Sequence, residues 1–283
     1  MSFLPPAGSR LVVIAFEGWN DAGEAAVDTA RHLVEEWDLQ LRSTTDCQSY
    51  FDMTFIRPVL HRGPEGPTID WPQMRRFGGT VPGSDTEIEV WVGVEPSYRW
   101  QEFVDEILAD LREGDHVILL GALLADVVHT RPLPVSPSTE STQVQAALGI
   151  PAAEYEGPTG IIGVFAADLY RRGVPEVSLW VAVPGYAATT PNPKAILALL
   201  ATFEEITGLV VAQRELVEEA RAWEAGTDAM VEDDEDLSEH VERLEGMTDA
   251  SELPEASGDA IAREFEKYLS RREDGRGHPG EQR

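Results

Sequence analysis

The chain reads as an α/β protein: a mostly parallel, doubly wound sheet carrying an acidic helical appendage at its C-terminal side. Three observations carry this reading. Apolar runs of strand length, such as Leu11 to Phe16 and Val177 to Val183, recur along the chain. Most are followed by a turn and then by apolar residues at helical spacing. Acid is also unevenly spread: Glu215 to Glu266 hold 19 Asp and Glu against 3 Arg, a net of −16 out of −29 for the whole chain.

Taken in order, Leu11 to Phe16 is a continuous apolar run, as expected of a strand buried on both faces. Asp21 followed by Glu24 resembles a capping box, and Ala22, Ala26, Ala30, Leu33 and Trp37 then recur at helical spacing. Residues 38 to 70 hold β-rich pieces, Leu39 to Thr45 and Met53 to Ile56, without a crossover helix, so an antiparallel insertion or edge is expected there. Ile88, Val90, Val92 and Val94 alternate along a strand. Ser97 is placed to cap a helix whose apolar face runs from Trp100 to Leu111, closed by Gly114. A strand over His116 to Leu120 and a long loop through Pro137 follow. Thr159 is placed to cap a helix over Gly160 to Arg172, and Asn192-Pro193 starts another that Gly208 stops. Beyond it, Leu216, Ala220 and Trp223 keep helical spacing, with shorter helices expected near Leu237 to Met247 and Ala260 to Leu269. The composition shift at Gly226 and the run Glu232 to Asp236 mark the acidic region. The expected division is a core over residues 1–210 and an appendage over 211–283, with a disordered Gly-rich tail from about Asp274.

Composition narrows the function. The 283 residues are 42% hydrophobic, enough for one large domain and too many for a disordered chain. Cys47 is the only cysteine, so neither an internal disulfide nor a CxxC zinc site is expected. No run approaches the roughly 18 apolar residues of a membrane span, and a soluble, cytoplasmic protein is expected. A net charge of −29 repels a phosphate backbone, so no nucleic-acid partner is expected, and no membrane. The strong preference for Arg over Lys points to a GC-rich, actinobacterial source.

In an open parallel sheet, ligands sit beyond the carboxyl ends of the strands. The segments placed there carry Glu17, Asp21, Asp126, His129, Arg131, Glu156 and Tyr186. Gly18 to Gly23 has the outline of a phosphate loop but lacks the Lys-Ser/Thr that must follow; its carboxylates repel phosphate and could instead ligate a hard cation. Asp126, His129 and Arg131 could form an acid–base pair with an anion-binding Arg, or simply lock a long loop. Glu156-Gly157-Pro158-Thr159-Gly160 presents a helix N-terminus whose free N–H groups could take an anion. No nucleophile elbow or zinc-binding helix accompanies these residues, and neither a cofactor nor a metal is expected.

Five segments occur in order: Phe16 to Gly23 (FEGWNDAG), Gly121 to Asp126 with His129-Thr130-Arg131-Pro132, Tyr155 to Gly160 (YEGPTG), Ser178 to Pro184 (SLWVAVP), and Pro191 to Leu200. Together they resemble the PAC2 family, named after a proteasome assembly chaperone, in its actinobacterial form, over roughly residues 10 to 225. The resemblance implies a fold like that of the phosphorylase and hydrolase group, self-assembly into a homo-oligomer and a proteasome-assembly role, with no established catalytic residues. Ligand or partner contacts are expected from Gly18, Trp19, Asn20, Gly23, Thr130, Glu156, Gly157, Thr159, Gly160 and Tyr186. Two features depart from the pattern. Gly185-Tyr186 stands where His-Tyr is expected, and the chain ends Glu281-Gln282-Arg283 rather than in a hydrophobic-Tyr-any docking tripeptide. The expectation is a non-enzymatic interaction or proteasome-assembly factor; the alternative is a hydrolase or nucleosidase using Glu17, Asp21, Asp126, His129 and Arg131. The wealth of tryptophan points to a symmetric homo-oligomer, a trimer before a dimer.

Overall fold

The computed structural model describes residues 2–46, 48–153 and 155–250. Cys47, the expected helix over Ala260 to Leu269 and the expected tail from Asp274 lie outside the described residues. In chain order the main elements begin with β1 (Arg10–Glu17), α1 (Ala25–Glu36), β2 (Gln40–Asp46), β3 (Val59–Gly63) and β4 (Gly66–Asp70). Next come β5 (Gln73–Thr80), β6 (Glu87–Val94), α2 (Trp100–Leu108), β7 (His116–Ala125), β8 (Val135–Ser138) and α3 (Thr142–Leu148). The chain continues through α4 (Ile161–Arg172), β9 (Glu176–Pro184), α5 (Pro193–Thr207), α6 (Leu216–Glu232) and α7 (Glu235–Ala250).

Seven strands form one sheet in the order β2-β5-β6-β1-β7-β9-β8, and β3 and β4 pair apart from it. The middle four, β6, β1, β7 and β9, are parallel. The outer pairings, β2 with β5, β5 with β6 and β8 with β9, are antiparallel, so the sheet is mixed with a parallel centre. The period-2 rule sorts the core. Leu11, Val13 and Ala15 join the cluster containing α1 and α5, while Val12, Ile14 and Phe16 join that of α2 and α4. Both faces of β1 are thus covered, which is why its sequence is apolar throughout. Ile88, Val90 and Val92 follow the first face, whereas Val94, where β6 ends, packs against the other cluster.

Several local expectations change. Met53 to Ile56 forms turns rather than a strand, and the antiparallel structure is carried by β2, over the expected Leu39 to Thr45 piece, together with β3, β4, β5 and β8. The long loop after Leu120 is shorter than expected, because β7 runs on to Ala125 and β8 takes up Val135 to Ser138; α3 then starts at a Ser141 cap that accepts from Val144 N–H. Ser97 caps no helix; its hydroxyl accepts from the Asp52 N–H, and Arg99 precedes α2 in a left-handed conformation. Asn192 does cap α5, accepting from Ala195 N–H at 3.0 Å. Gly226 lies inside α6 and does not open a break.

Candidate functional site

The chain travels to opposite sides of β1, to β6 on one side and β7 on the other, which makes the carboxyl end of β1 the switch point where open α/β sheets hold ligands. The residues expected at this end fall into two groups.

The first group surrounds Glu95, immediately after β6. Its Oε1 accepts from Asn20 Nδ2 at 2.8 Å and from the Ile161 N–H of the first turn of α4 at 2.9 Å. The Trp19 backbone N–H donates to the same carboxylate. Burial pushes the Glu95 carboxyl up, against the lowering effect of these donors. The helix N-terminus expected to await an outside anion is therefore already satisfied by a carboxylate of the chain itself. Gly160, rather than Thr159, is the cap residue of α4. A side chain at Gly160 would collide with the Asn20 amide, and one at Gly18, which has φ near +122°, would press on Glu95. The Thr159 hydroxyl instead lies against Gly163. Glu156 and Gly157 are exposed, in a turn that Tyr155 closes by donating from its hydroxyl to the Pro158 carbonyl at 2.6 Å.

Asp21 caps α1, but not through a capping box with Glu24. Its Oδ1 accepts from Ala26 N–H at 2.7 Å and Val27 N–H at 3.4 Å, while Glu24 turns left-handed before the helix. Its Oδ2 is buried with no hydrogen-bond partner among the described residues, and burial pushes the carboxyl up to about 7. Gly23 sits against Asn192, whose Nδ2 is likewise buried and unpaired. Glu17 points elsewhere and pairs with Arg31 at 2.5 Å.

The second group is centred on His129, which is 1% exposed. Nδ1 lies 2.7 Å from the Tyr186 hydroxyl and Nε2 lies 3.0 Å from Oδ1 of Asp228 on α6. The His129 N–H also donates to the Tyr186 hydroxyl, and its carbonyl accepts from Lys194, which in turn pairs with Glu224 of α6. Thr130 donates to Glu245 of α7, and Val128 packs with Val241 and Leu244. Asp126 and Arg131 are exposed, and neither is bonded to the imidazole, whose two ring nitrogens are both taken. The acidic helices thus lie directly over the most polar loop of the sheet end, fastened there through Asp228, Glu224 and Glu245. Sequence reasoning paired His129 with the near neighbour Asp126; the actual carboxylate lies 99 positions away. Glu95 gave no signal beyond ending a strand before a proline.

Among the described residues, no three His, Cys, Asp or Glu gather as ligands for a metal. No described helix is long and apolar enough to cross a membrane.

Comparison with known proteins matches the model of the PAC2 family over residues 15–231. A PAC2 family protein from Streptomyces avermitilis is 38% identical, with a TM-score of 0.74, over 82% of this chain and 99% of that one. A proteasome-assembly chaperone homologue from Mycobacterium tuberculosis is 41% identical, with a TM-score of 0.73 and the same coverage of both chains. Pyrococcus furiosus PbaA, an archaeal homologue of proteasome-assembly chaperone, is 22% identical with a TM-score of 0.57 over 89% of this chain and 98% of that one, and shows a shared fold alone. No curated protein matches. The matched span begins inside β1 and ends inside α6, so it takes in both residue groups at the sheet end and the helix that covers them: the chain belongs to the PAC2 family.

Proposed function

We propose that this protein is a cytoplasmic, non-enzymatic interaction factor of the proteasome-assembly type that works as a homo-oligomer. The observation that carries the reading is the state of His129. Its imidazole is buried and held on both ring nitrogens, and a general acid–base group must instead reach a substrate proton. The self-satisfied α4 N-terminus supports the same reading, because Glu95 fills the place where an anionic substrate group would bind. The similarity to a proteasome-assembly chaperone homologue supplies the kind of partner. Purification of the tagged full chain from its native host tests this. Enrichment of proteasome α-subunits or unprocessed precursors is expected, and recovery without either would remove the reading.

One observation favours a second reading, that of a small-molecule hydrolase or nucleosidase. Asp21 is a buried carboxyl at the switch point with one oxygen unpaired and a raised pKa, the signature of a poised acid. Its role as the cap of α1 accounts for Oδ1 but not for Oδ2. A nucleoside panel followed for base release, with Asp21→Asn as control, decides this reading. Release that disappears in the variant supports it, and no release from any nucleoside ends it for that substrate class.

A further inference from the structure

The exposed apolar side chains of this protein are not scattered. Of the eleven large hydrophobics exposed among the described residues, six lie between positions 41 and 71: Leu41, Phe55, Val59, Leu60, Ile69 and Trp71. Three of them, Val59, Leu60 and Ile69, lie on the β3–β4 hairpin and Trp71 directly follows it; among the described residues this hairpin hydrogen-bonds to no other strand, and no other element packs extensively against it. An isolated two-stranded hairpin is at best marginally stable in water. Its register sets Leu60 opposite Ile69 and Arg62 opposite Pro67, and the pleat puts all four on one face. That face has no extensive partner among the described residues, although contiguous exposed apolar surface on a soluble protein marks an interaction site.

Charge identifies the occupant. Residues 53–69 carry Arg57, His61 and Arg62 against the single acid Glu65, and Asp70 is taken by Arg75, which leaves a locally basic stretch in a chain of net charge −29. Arg57, His61 and Arg62 are exposed, and neither Arg57 nor Arg62 forms an ion pair among the described residues. The complementary surface is on the same molecule. Glu232 to Asp236, five consecutive exposed acids, form the corner between α6 and α7, and the same helices expose Met230 and Met247. Among the described residues no ion pair joins the two surfaces within one chain. The hairpin leads into β5 beside the carboxyl end of β6, whereas α6 and α7 lie over the loops after β7 and β9 at the same end of the sheet, three or more strand positions away. Two different patches set apart on one subunit make a head-to-tail contact, which repeats from copy to copy and gives a ring where the rotation closes.

We infer that the β3–β4 hairpin is an assembly arm, whose Leu60–Ile69 face and basic residues dock on the acidic α6–α7 corner of a second copy of this chain. The inference rests on the homo-oligomer reading above and names its interface. The test is the mass of the full chain by light scattering at micromolar concentration, with cooperative unfolding checked for every variant. The wild type is expected at about three times the 31.1 kDa chain mass. Leu60→Ser with Ile69→Ser, and separately Arg57→Glu with Arg62→Glu, should each drop the mass threefold, to that of one chain. Adding Glu232→Arg and Asp233→Arg to the Arg57→Glu, Arg62→Glu chain should restore it; basic residues suit the C-terminal end of α6. Arm variants that keep the wild-type mass would overturn the arm while leaving self-assembly through another surface. Failure of the reversed corner to restore the mass would overturn the choice of occupant. A wild type at 31.1 kDa would remove both the arm and the homo-oligomer reading.

Discussion

Single residues hold this fold through buried charge as much as through apolar contact. Arg10, at the start of β1, donates from Nε and Nη2 to Asp115 Oδ2 at 3.1 and 2.7 Å and from Nη1 to Glu89 at 2.5 Å. Removing one partner of such a pair leaves a buried charge uncompensated, so Arg10→Ala should cost about 3–5 kcal/mol in urea denaturation. A loss under 1 kcal/mol would mean that the cluster is solvated. Asp21 and Glu176 behave differently. Burial pushes both carboxyls up to about 7, so each favours the folded state in acid. That contribution is fully present below the ordinary carboxylate range and is lost as pH rises through about 7. Each group lowers stability by up to about 1.4 kcal/mol per pH unit across that window. Asp21→Asn keeps the Oδ1 acceptor for Ala26, so denaturation midpoints between pH 5 and 8 should fall less steeply in the variant than in the wild type. An unchanged slope would show that Asp21 is ionised throughout. At this scale the sequence was half legible. Asp21 as a cap and Asn192 as a cap follow from residue type and position, but the partner of His129 does not, because a contact across 99 positions leaves no local pattern.

Among the elements, those buried on both faces were the readable ones. β1, β7 and β9 are continuous apolar runs because helices cover both sides, and α4 and α5 stop at Gly173 and Gly208, each left-handed with φ near +70°. β3 and β4 gave no such signal, since every residue in them is exposed or half-buried and no burial pattern was imposed on the sequence. β8 is only four residues long and holds a proline, which an edge strand tolerates. The division at residue 210 is best treated as a proposal about stability. Removing residues 226–283 would take away the Asp228 and Glu245 contacts and the Val241–Leu244 cover from Val128, but would leave the seven-stranded sheet and both core clusters intact. The truncated chain should therefore unfold cooperatively, at a lower midpoint by circular dichroism. Loss of the cooperative transition would place α6 and α7 within the core. The finer substitution Asp228→Asn should cost no more than about 1.5 kcal/mol, because it weakens one hydrogen bond to a half-exposed group; a larger loss by urea denaturation would make Asp228 the main fastening of α6.

At the scale of the whole molecule, the acid has two jobs that composition alone could not separate. Part of it fastens α6 and α7 to the sheet end, through Glu224, Asp228 and Glu245. Another part, Glu232 to Asp236, is exposed, with Asp234 also capping α7 by accepting from Leu237 N–H at 3.0 Å. Family membership was legible because its segments lie at the strand ends, where turn geometry and close packing dictate residue type, as at Gly18, Asn20 and Gly160. Function was not, because the contacts that decide the roles of His129 and of the α4 N-terminus come from residues far away in the sequence, Asp228 and Glu95. Salt should separate the two populations of acid: raising it from 0.05 to 0.5 M, roughly a threefold shortening of the screening length, should weaken assembly far more than folding. Sedimentation and thermal unfolding across that range check this, and assembly unaffected by salt would contradict the charged arm.

The central claim is that this protein serves proteasome assembly and that its sheet end performs no chemistry. The most direct measurement is reconstitution of proteasome cores from purified α- and β-subunits with and without the full chain, followed by native mass. The account predicts faster or more complete formation of the core particle, and the same gain with His129→Gln wherever that variant remains folded. Assembly that proceeds identically without the chain, or a gain that disappears in a folded His129→Gln variant, would contradict it.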